Sequence, residues 1–359
     1  MDRIGNIQDK AANDGHHAAR NNGVGIESES ASVMAGPANE SAPLLQVLAL
    51  DGGGLRGIFT AAALAEWEED FDTSVADHFD LIVGTSTGGI IALALGLGMS
   101  PAEVLSIYVE HGERIFPRVG RARRGLVRRL LRPRYDAAEL RAVLQDSFGD
   151  QLLSDSRVRL AIPSYDLAAD HVHLFRTPHH RDLRRDWRVL AVDVALATAA
   201  APLFLPTHRV EAHRLIDGGV WANNPTLVGV AECFDRLGGE RGRVRVLNVG
   251  TTSDIRKRRA TLNDGGMLAW RSDGLDVMLR GQCLAATNHA QLILGRTNVV
   301  RVDVPTPEGL HKLDSVTASD LIGRALAESR ARSPALDNFF QHSPSPYVPL
   351  HGKEPSHVQ

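Results

Sequence analysis

The sequence predicts a three-layer α/β/α domain, with helices on both faces of a central sheet and a nucleophile elbow at the edge of that sheet. A strand-like apolar run at 45–50 stops at Asp51 and three glycines, and a helical stretch follows at 58–69. A second apolar run at 79–83 leads through another glycine turn into a helix at 86–98. Strand, turn and helix repeated in this order are typical of a parallel sheet covered by helices.

Further elements extend this pattern along the chain. Two helices have start signals, at Ser100 with Glu103 three residues later and at Asp136 with Glu139 three residues later. The other expected elements are strands at 158–162, 171–175, 214–216, 244–249 and 299–304, and helices at 191–200, 267–294 and 319–330. No internal repeat divides this ordered part, so we expect one domain.

The two ends of the chain differ from its middle in composition. Residues 1–43 are polar and rich in Asn, Ser, Ala and Gly, which predicts a disordered leader. We assign 44–342 to the domain, with the chemical motifs within 47–250 and a part made of helices and a strand at 251–342. The Pro- and His-rich residues 343–359 are expected to form a loose tail.

Composition restricts the class of protein. A hydrophobic fraction of 43% in 359 residues predicts a large core, and a net charge of −3 gives no indication of a nucleic-acid partner. Cys233 and Cys283 have neither metal-ligand spacing nor the number that a disulfide framework needs. Because the N-terminus has no apolar signal region and no apolar run spans about 18 residues, we expect a cytoplasmic protein.

Residues 84–88 read Gly-Thr-Ser-Thr-Gly and fit the pattern G-x-S-x-G, with Gly84 and Gly88 on either side of Ser86. Such a serine lies on a sharp turn between strand and helix, where its hydroxyl projects from the sheet edge and the small flanking residues avoid clashes. The alternative is a glycine-rich turn in which Ser86 only caps a helix. The strand before the motif and the helix after it favour a nucleophile.

A glycine-rich loop follows the first strand and predicts an oxyanion hole. Its candidate residues are Gly52, Gly53, Gly54, Arg56 and Gly57. Consecutive glycines let backbone N–H groups point into one concavity. The loop also fits G-x-G-x-x-G, but the second strand ends in the serine turn and not in the acidic residue that dinucleotide binding needs. Arg56 either supports negative charge at this helix start or is an ordinary solvated residue.

A strand-like run at 215–216 ends in Asp217, which is followed by Gly218 and Gly219. A carboxylate at a strand end beside small residues can approach the sheet edge and accept the proton of a serine nucleophile. Asp-Gly is also a common turn signal, so this motif gains meaning only together with the other two. A Ser-His-Asp hydrolase with a late histidine such as His289 stays open as the alternative mechanism.

These three motifs, in this order from about Val47 to Gly250, resemble the patatin-like phospholipase family. The resemblance implies an oxyanion loop at 51–57, an elbow at 84–88 and the family's Asp-Gly-Gly motif at 217–219. It also implies a Ser–Asp dyad of Ser86 and Asp217, working without histidine or cofactor on acyl esters of membrane lipids.

Segments 108–117, 175–180 and 186–202 further resemble the patatin-like effectors of bacterial anti-phage systems (CBASS). That resemblance implies activation by a cyclic dinucleotide such as cyclic GMP–AMP. It also implies contact with the inner face of the cell membrane, and a homo-oligomer is kept among the expected partners. An ungated lipid esterase and a non-catalytic nucleotide-binding module are the alternatives.

A basic segment is the other feature that suggests a ligand. Eight arginines and no acids lie between Arg118 and Arg134. They suit anionic lipid headgroups, the phosphates of a cyclic dinucleotide, or a solvated surface loop. Residues 177–181 are a second place to search for phosphate contacts. The histidine pairs at 171 and 173 and at 179 and 180 lack the partners of a metal site, so no metal is expected.

Overall fold

The computed structural model describes residues 42–115, 133–255, 258–270, 273–307 and 317–352. All but the last two residues of the expected leader lie outside this part of the chain. So does the basic segment, apart from residues 133 and 134. In the described part, no helix is long and apolar enough to cross a membrane.

Ten strands are described. They are β1 (Leu45–Leu50), β2 (Leu81–Gly84), β3 (Leu160–Asp166), β4 (His171–Arg176), β5 (His208–Val210), β6 (His213–Asp217), β7 (Val244–Val249), β8 (Ser253–Ile255), β9 (Val299–Val302) and β10 (Pro305–Pro307). Eight of them form one sheet, and β8 pairs with β10 separately. Each strand expected from the sequence is present, with ends shifted by a few residues.

The helices expected from the sequence are present in the expected order, and the described residues contain two more, at 219–222 and 226–236, that were not predicted. In chain order, the helices are α1 (Gly57–Phe71), α2 (Thr87–Gly96), α3 (Pro101–Ile115), α4 (Ala137–Phe148), α5 (Ala191–Thr198), α6 (Gly219–Ala222), α7 (Thr226–Arg236), α8 (Met267–Trp270), α9 (Gly274–Leu294) and α10 (Ala318–Phe340). The start signals act as expected: Ser100 and Glu103 exchange hydrogen bonds, and the Asp136 carboxylate accepts from the Ala138 amide at 3.0 Å.

The main sheet has packed helices on both faces, which confirms the three-layer α/β/α class. Alternate residues of β1 belong to two separate cores because successive side chains of a strand point to opposite faces. Leu48 and Leu50 pack with α1 and α2, whereas Val47 packs against α7 and α9. All six β1 residues are buried, as expected for a central strand covered on both sides.

The sheet is mixed, whereas the strand–helix repeats predicted a parallel one. The pairs β1–β2, β2–β3, β1–β7 and β7–β9 are parallel. The pairs β3–β4, β3–β6 and β5–β6 are antiparallel. The pairs β3–β4 and β5–β6 are joined by short connections, which need no crossover helix and leave no helical signal in the sequence. The β3–β6 pair joins strands that lie far apart in the sequence, so no local pattern predicts it.

Two strands meet end to end on one edge of β3, and this arrangement positions the site. Strand β4 pairs with β3 along residues 161–166 and so occupies one edge. On the other edge, β2 pairs with Leu160 and Ala161, and β6 pairs with residues 164–166 from the opposite direction. Because β2 and β6 run in opposite directions along this edge, their carboxyl ends face each other.

The C-terminal part differs from the expectation in two places. Helix α10 continues ten residues beyond Arg330 and contains Pro334, a residue that removes one backbone hydrogen bond. Burial compensates for that loss, since Phe340 stacks on Phe71 with ring centroids 4.2 Å apart. Part of the expected tail contacts the domain: Arg159 donates to the backbone carbonyl of Ser345 at 3.0 Å, and the Leu350 amide donates to the Pro178 carbonyl at 2.9 Å.

Candidate active site

Ser86 lies at the sharp turn between β2 and α2, as its motif predicts. Its backbone has φ 55° and ψ −122°, a conformation that non-glycine residues rarely adopt. A side chain at Gly84 would place its Cβ 2.1 Å from the carbonyl oxygen of Gly88, and one at Gly88 would lie 2.3 Å from that of Leu50. The two flanking glycines therefore permit the close packing of the turn.

The turn is tied to β3 by Thr198. The Ser86 amide donates to Thr198 Oγ1 at 3.0 Å, and the Thr198 hydroxyl donates to the backbone carbonyl of Pro163 at 2.6 Å. Thr198 is fully buried at the end of α5. Sequence reasoning missed this residue, because a threonine inside a small-residue helix has no pattern that indicates a partner more than a hundred positions away.

Asp217 is the last residue of β6 and is buried next to Ser86. Its carboxylate accepts a hydrogen bond from the Gly219 amide at 2.7 Å, and it also interacts with the Ser86 side chain. Burial raises the pKa of the Asp217 carboxyl to about 6, while the Gly219 amide and the Ser86 side chain act to lower it. A Cβ on Gly218 would lie 2.3 Å from the Pro163 carbonyl oxygen, so this turn needs glycine.

The glycine-rich loop approaches both groups from the end of β1. Gly54 has φ 59°, and a Cβ on Gly53 would lie 2.1 Å from Thr251 Oγ1. Among the described residues, the amides of Gly53 and Gly54 have no hydrogen-bond acceptor. They are therefore free to bind an oxyanion next to Ser86.

The other residues proposed for the oxyanion hole have different roles in the fold. The Gly52 amide donates to the Asn223 carbonyl at 2.9 Å, and the Gly57 amide donates back to the carbonyls of Gly54 and Leu55. Arg56 donates to the Thr252 carbonyl at 2.8 Å and so braces the loop. Among the loop residues, the amides of Gly53 and Gly54 are therefore the two candidate oxyanion donors.

A buried ionic group supports the glycine-rich loop, and no sequence pattern indicated it. Asp51 accepts from Asn248 Nδ2 at 2.7 Å and pairs with Arg301 at 2.8 Å. Arg301 also pairs with Asp303 at 2.8 Å. Burial lowers the pKa of the Arg301 guanidinium, but the two carboxylates outweigh burial and raise it. These residues come from three strand ends that only the folded sheet brings together.

A cavity of about 690 Å³ opens at Ser86 and Asp217, within the size range of ligand sites. One wall is apolar and comes from α2, α3, α4 and the loop before β5. Its members are Ile90, Ala94, Val104, Ile107, Ile115, Leu140, Val143, Leu144, Phe148, Phe204 and Leu205. Such a lining suits a hydrocarbon chain, since each buried methylene contributes about 0.8 kcal/mol.

No histidine is among the described residues that line this cavity. His289, the base of the alternative triad, lies instead on a second cavity of about 390 Å³ with Trp221 and Glu232. His179 is buried between Thr177 at 2.8 Å and Glu232 at 3.0 Å. Nothing in the described part of the chain groups His, Cys, Asp and Glu as a metal site.

Cys283 also lines the cavity and carries a side chain that can act as a nucleophile. Burial raises the pKa of its thiol to about 12, so at neutral pH it carries almost no thiolate. Asn223 Nδ2 donates to its sulfur at 3.2 Å. The serine is therefore the better placed nucleophile of the two.

Of the two regions considered for phosphate contacts, the structure describes residues 177–181 but almost none of the basic segment. The basic segment lies outside the described residues, apart from residues 133 and 134. In the second region, Thr177 is fully buried, and the Leu160 amide donates to its hydroxyl at 2.9 Å. Thr177 and His179 thus serve the interior of the fold and do not form an open phosphate site.

Comparison with known proteins finds similarity to phospholipases and other patatin-like proteins. The family model described as patatin-like phospholipase matches residues 48–230. A protein of Pseudomonas aeruginosa named cGAMP-activated phospholipase is 34% identical over 86% of this chain and 96% of its own length. One of that name from Vibrio cholerae is 32% identical over 83% of this chain and 94% of its own. Patatin-like protein 2 of Arabidopsis thaliana is 27% identical, covering 83% and 88%.

Proposed function

Because the chain belongs to the patatin-like phospholipase family and is thereby a hydrolase of lipid esters, we propose that it releases fatty acids from membrane phospholipids with Ser86 as nucleophile and Asp217 as base. One observation carries the proposal. A serine held in an elbow turn has its side chain beside a buried carboxylate of raised pKa. Both groups lie on a cavity whose far wall is apolar.

In the first half of the reaction, Ser86 Oγ bonds to the ester carbonyl carbon while its proton moves to the Asp217 carboxylate. The carbonyl oxygen becomes negative and accepts hydrogen bonds from the amides of Gly53 and Gly54. The tetrahedral intermediate then collapses. The bond to the lysophospholipid oxygen breaks, and that oxygen takes the proton back from Asp217.

In the second half, water attacks the acyl group on Ser86 and gives a proton to the Asp217 carboxylate. The same two amides hold the second tetrahedral intermediate. When the bond from the acyl carbon to Oγ breaks, Asp217 returns the proton to Ser86 Oγ and the fatty acid leaves. The enzyme ends in its starting state, with one ester bond and one water consumed.

An aspartate can serve as the base here because burial makes it a stronger proton acceptor. With a pKa of about 6, the carboxyl is mostly ionised at neutral pH and lies close to the value at which general bases are most effective. The two oxyanion donors supply a further share, because losing one such donor typically costs a factor of about 10²–10³ in rate.

The test is hydrolysis of a phospholipid with labelled acyl chains, together with covalent labelling by a fluorophosphonate. We expect Ser86→Ala to abolish both fatty-acid release and labelling while the melting temperature stays within a few degrees. Turnover close to that of the unmodified protein in this variant, with unchanged melting, would remove Ser86 from the mechanism.

The proposal includes regulation by a cyclic dinucleotide, with a role in anti-phage defence at the inner face of the cell membrane. Relatives named cGAMP-activated phospholipases, alike over nearly their whole length, support this part. A rise from about 1% to 99% active needs a ligand that prefers the active form by about 10⁴-fold. The basic segment 118–134 is the part of the chain to search for phosphate contacts.

Regulation is tested by the phospholipase rate against concentration for a panel of cyclic dinucleotides, with Ser86→Ala as the blank. We expect a low rate without nucleotide and a large increase with cyclic GMP–AMP. A high rate without nucleotide that is the same across the panel would leave an ungated lipid acyl hydrolase. Sedimentation with and without the nucleotide tests the expected homo-oligomer.

A further inference from the structure

Three apolar side chains lie where the cavity meets solvent. Val220, Leu275 and Leu284 line the cavity, yet they are exposed by 44%, 42% and 51%. They come from two elements, α6 and α9. A residue that is both cavity lining and half exposed lies at the rim of an opening, so the apolar lining continues onto the outer surface there.

Leu203 adds a fourth apolar side chain and is the most unusual of the set. It is 76% exposed, while its neighbours Pro202 and Phe204 both line the cavity. Its backbone has φ 73°, in the left-handed region that favours glycine or asparagine. The chain turns here, with the amides of Phe204 and Leu205 donating to the Ala201 carbonyl at 3.0 and 2.9 Å.

Folding alone gives no reason for leucine at this position. The turn needs a residue that tolerates positive φ, which glycine or asparagine would do at lower cost. The leucine side chain, in turn, gains little from the protein because most of its surface faces solvent. Strain in the backbone together with an exposed apolar side chain beside a cavity points to a role outside the fold.

We propose that Leu203, Val220, Leu275 and Leu284 form a docking surface that inserts into the surface of a lipid bilayer, so that the cavity opens directly into the membrane. The inference rests on the proposed phospholipase function. A lipid bilayer is the partner that fits this surface, because the exposed apolar residues border the cavity. A phospholipid acyl chain would pass from the bilayer to the cavity wall without crossing water. Apolar side chains bind the interface in proportion to the apolar area that they bury there.

The charges at the rim agree with a bilayer that contains anionic lipids. Arg280 lines the cavity, and no carboxylate in the described part of the chain forms an ion pair with it. Asp276, the acidic residue near it on α9, pairs with Arg258 at 2.6 Å. Because Arg258 balances its charge, Asp276 does not repel an anionic membrane surface, whereas Arg280 is attracted to lipid phosphate groups.

The test compares two leucines of similar exposure. Leu203→Asn removes an apolar side chain from the docking surface, and Leu292→Asn removes one that is 71% exposed on α9 but does not line the cavity. Leu292 lies about 25 Å along the helix from Leu275. Both changes are made in Ser86→Ala protein, and sedimentation measures binding to mixed phosphatidylethanolamine and phosphatidylglycerol vesicles with cyclic GMP–AMP present.

We expect Leu203→Asn to weaken vesicle binding roughly tenfold and Leu292→Asn to leave it unchanged. Asparagine tolerates positive φ, so Leu203→Asn should melt at the same temperature as its parent or higher, which separates lost docking from lost folding. Equal vesicle binding by the two variants would overturn the proposal. So would a change of oligomeric state in Leu203→Asn without any change in vesicle binding.

A water-soluble short-chain ester separates this inference from the function on which it rests. With Ser86 intact, Leu203→Asn should hydrolyse the soluble ester at the same rate as the unmodified protein but release fatty acid from vesicles more slowly. If the unmodified protein does not hydrolyse the ester, either without nucleotide or with any member of the cyclic-dinucleotide panel, the proposed function fails. If the ester is hydrolysed and Leu203→Asn matches the unmodified protein on vesicles, only the docking surface fails.

Discussion

Asp217 and Asp51 are both buried at strand ends beside the same cavity, but their surroundings differ. Burial raises the pKa of both carboxyls. For Asp51 the guanidinium of Arg301 and the amide of Asn248 oppose that rise, whereas for Asp217 only the Gly219 amide and the Ser86 hydroxyl do so. In the described residues, no cation pairs with Asp217.

This difference separates two uses of one residue type. A carboxylate paired with a cation is suited to hold structure, because the cation balances its charge in the interior. A buried carboxylate without a cation costs stability, but it keeps a high affinity for a proton. Asp51 therefore braces the glycine-rich loop, and Asp217 is the group suited to act as the proposed base.

The largest expected effect is on turnover. Asp217→Asn keeps the shape of the side chain but removes the proton acceptor, so we expect phospholipid hydrolysis to fall by about 10⁴-fold, as for other catalytic dyads and triads. Asp51→Asn should reduce the rate far less, about 10-fold to 100-fold, through a looser oxyanion loop. The comparison fails if the Asp51 variant is the less active of the two.

The same two variants should change stability in opposite directions. The pKa of Asp217 is raised on folding, so its ionised form destabilises the folded state once the pH exceeds about 6. Asp217→Asn should therefore raise the free energy of unfolding at pH 8 by on the order of 2–3 kcal/mol. The pKa of the Asp51 carboxyl is also raised on folding, but Asp51→Asn should still lower the free energy of unfolding, because the buried Arg301 loses one of its two carboxylate partners.

Urea unfolding at several pH values checks this sign. The stability gain of Asp217→Asn should shrink as the pH falls from about 6 toward 4, because the folded form then binds a proton at Asp217 while the unfolded carboxyl stays largely ionised. A gain that is independent of pH would mean that the asparagine acts by packing and not by removing a charge.

The pH dependence of activity is the next effect in size. The proposed base must be ionised, so kcat/KM on a soluble ester should be constant above a pKa of about 6. It should fall by about tenfold for each pH unit below that value. If kcat/KM does not fall below about pH 6, Asp217 is not the group that accepts the proton of Ser86.

The smallest expected effect concerns the alternative triad. His289 lies on the second cavity and not beside Ser86, so His289→Ala should change turnover by less than about twofold. Loss of activity as large as that of Asp217→Asn would replace the dyad with a triad. The melting temperature of the same variant shows whether any loss comes from unfolding.

Much of the site could be predicted because its parts are local. The elbow needs a strand, a serine between small residues and a helix, and all of these are contiguous in 79–98. The positive φ of Ser86 and Gly54 agrees with their motifs, since such turns need small residues at fixed offsets. Periodicity likewise predicted the order of the strands and helices, because each reflects burial within a few residues.

The parts that could not be predicted depend on which strands become neighbours. Nothing in the sequence tells that β6 runs antiparallel to β3 and ends opposite β2, yet this register is what brings Asp217 to Ser86. Arg301 reaches Asp51 from a strand 250 positions later. The continuation of α10 through Pro334 depends on aromatic contacts with α1.

The sequence by itself therefore determined the chemical groups, the turns that hold them and the class of fold, because steric limits and burial patterns act over short stretches of chain. Only the tertiary structure decided which two loop amides are free, which aspartate has a cation and where the apolar rim lies. Hydrogen-bond partners, desolvation and exposure are properties of neighbours in space, and those neighbours come from distant parts of the chain.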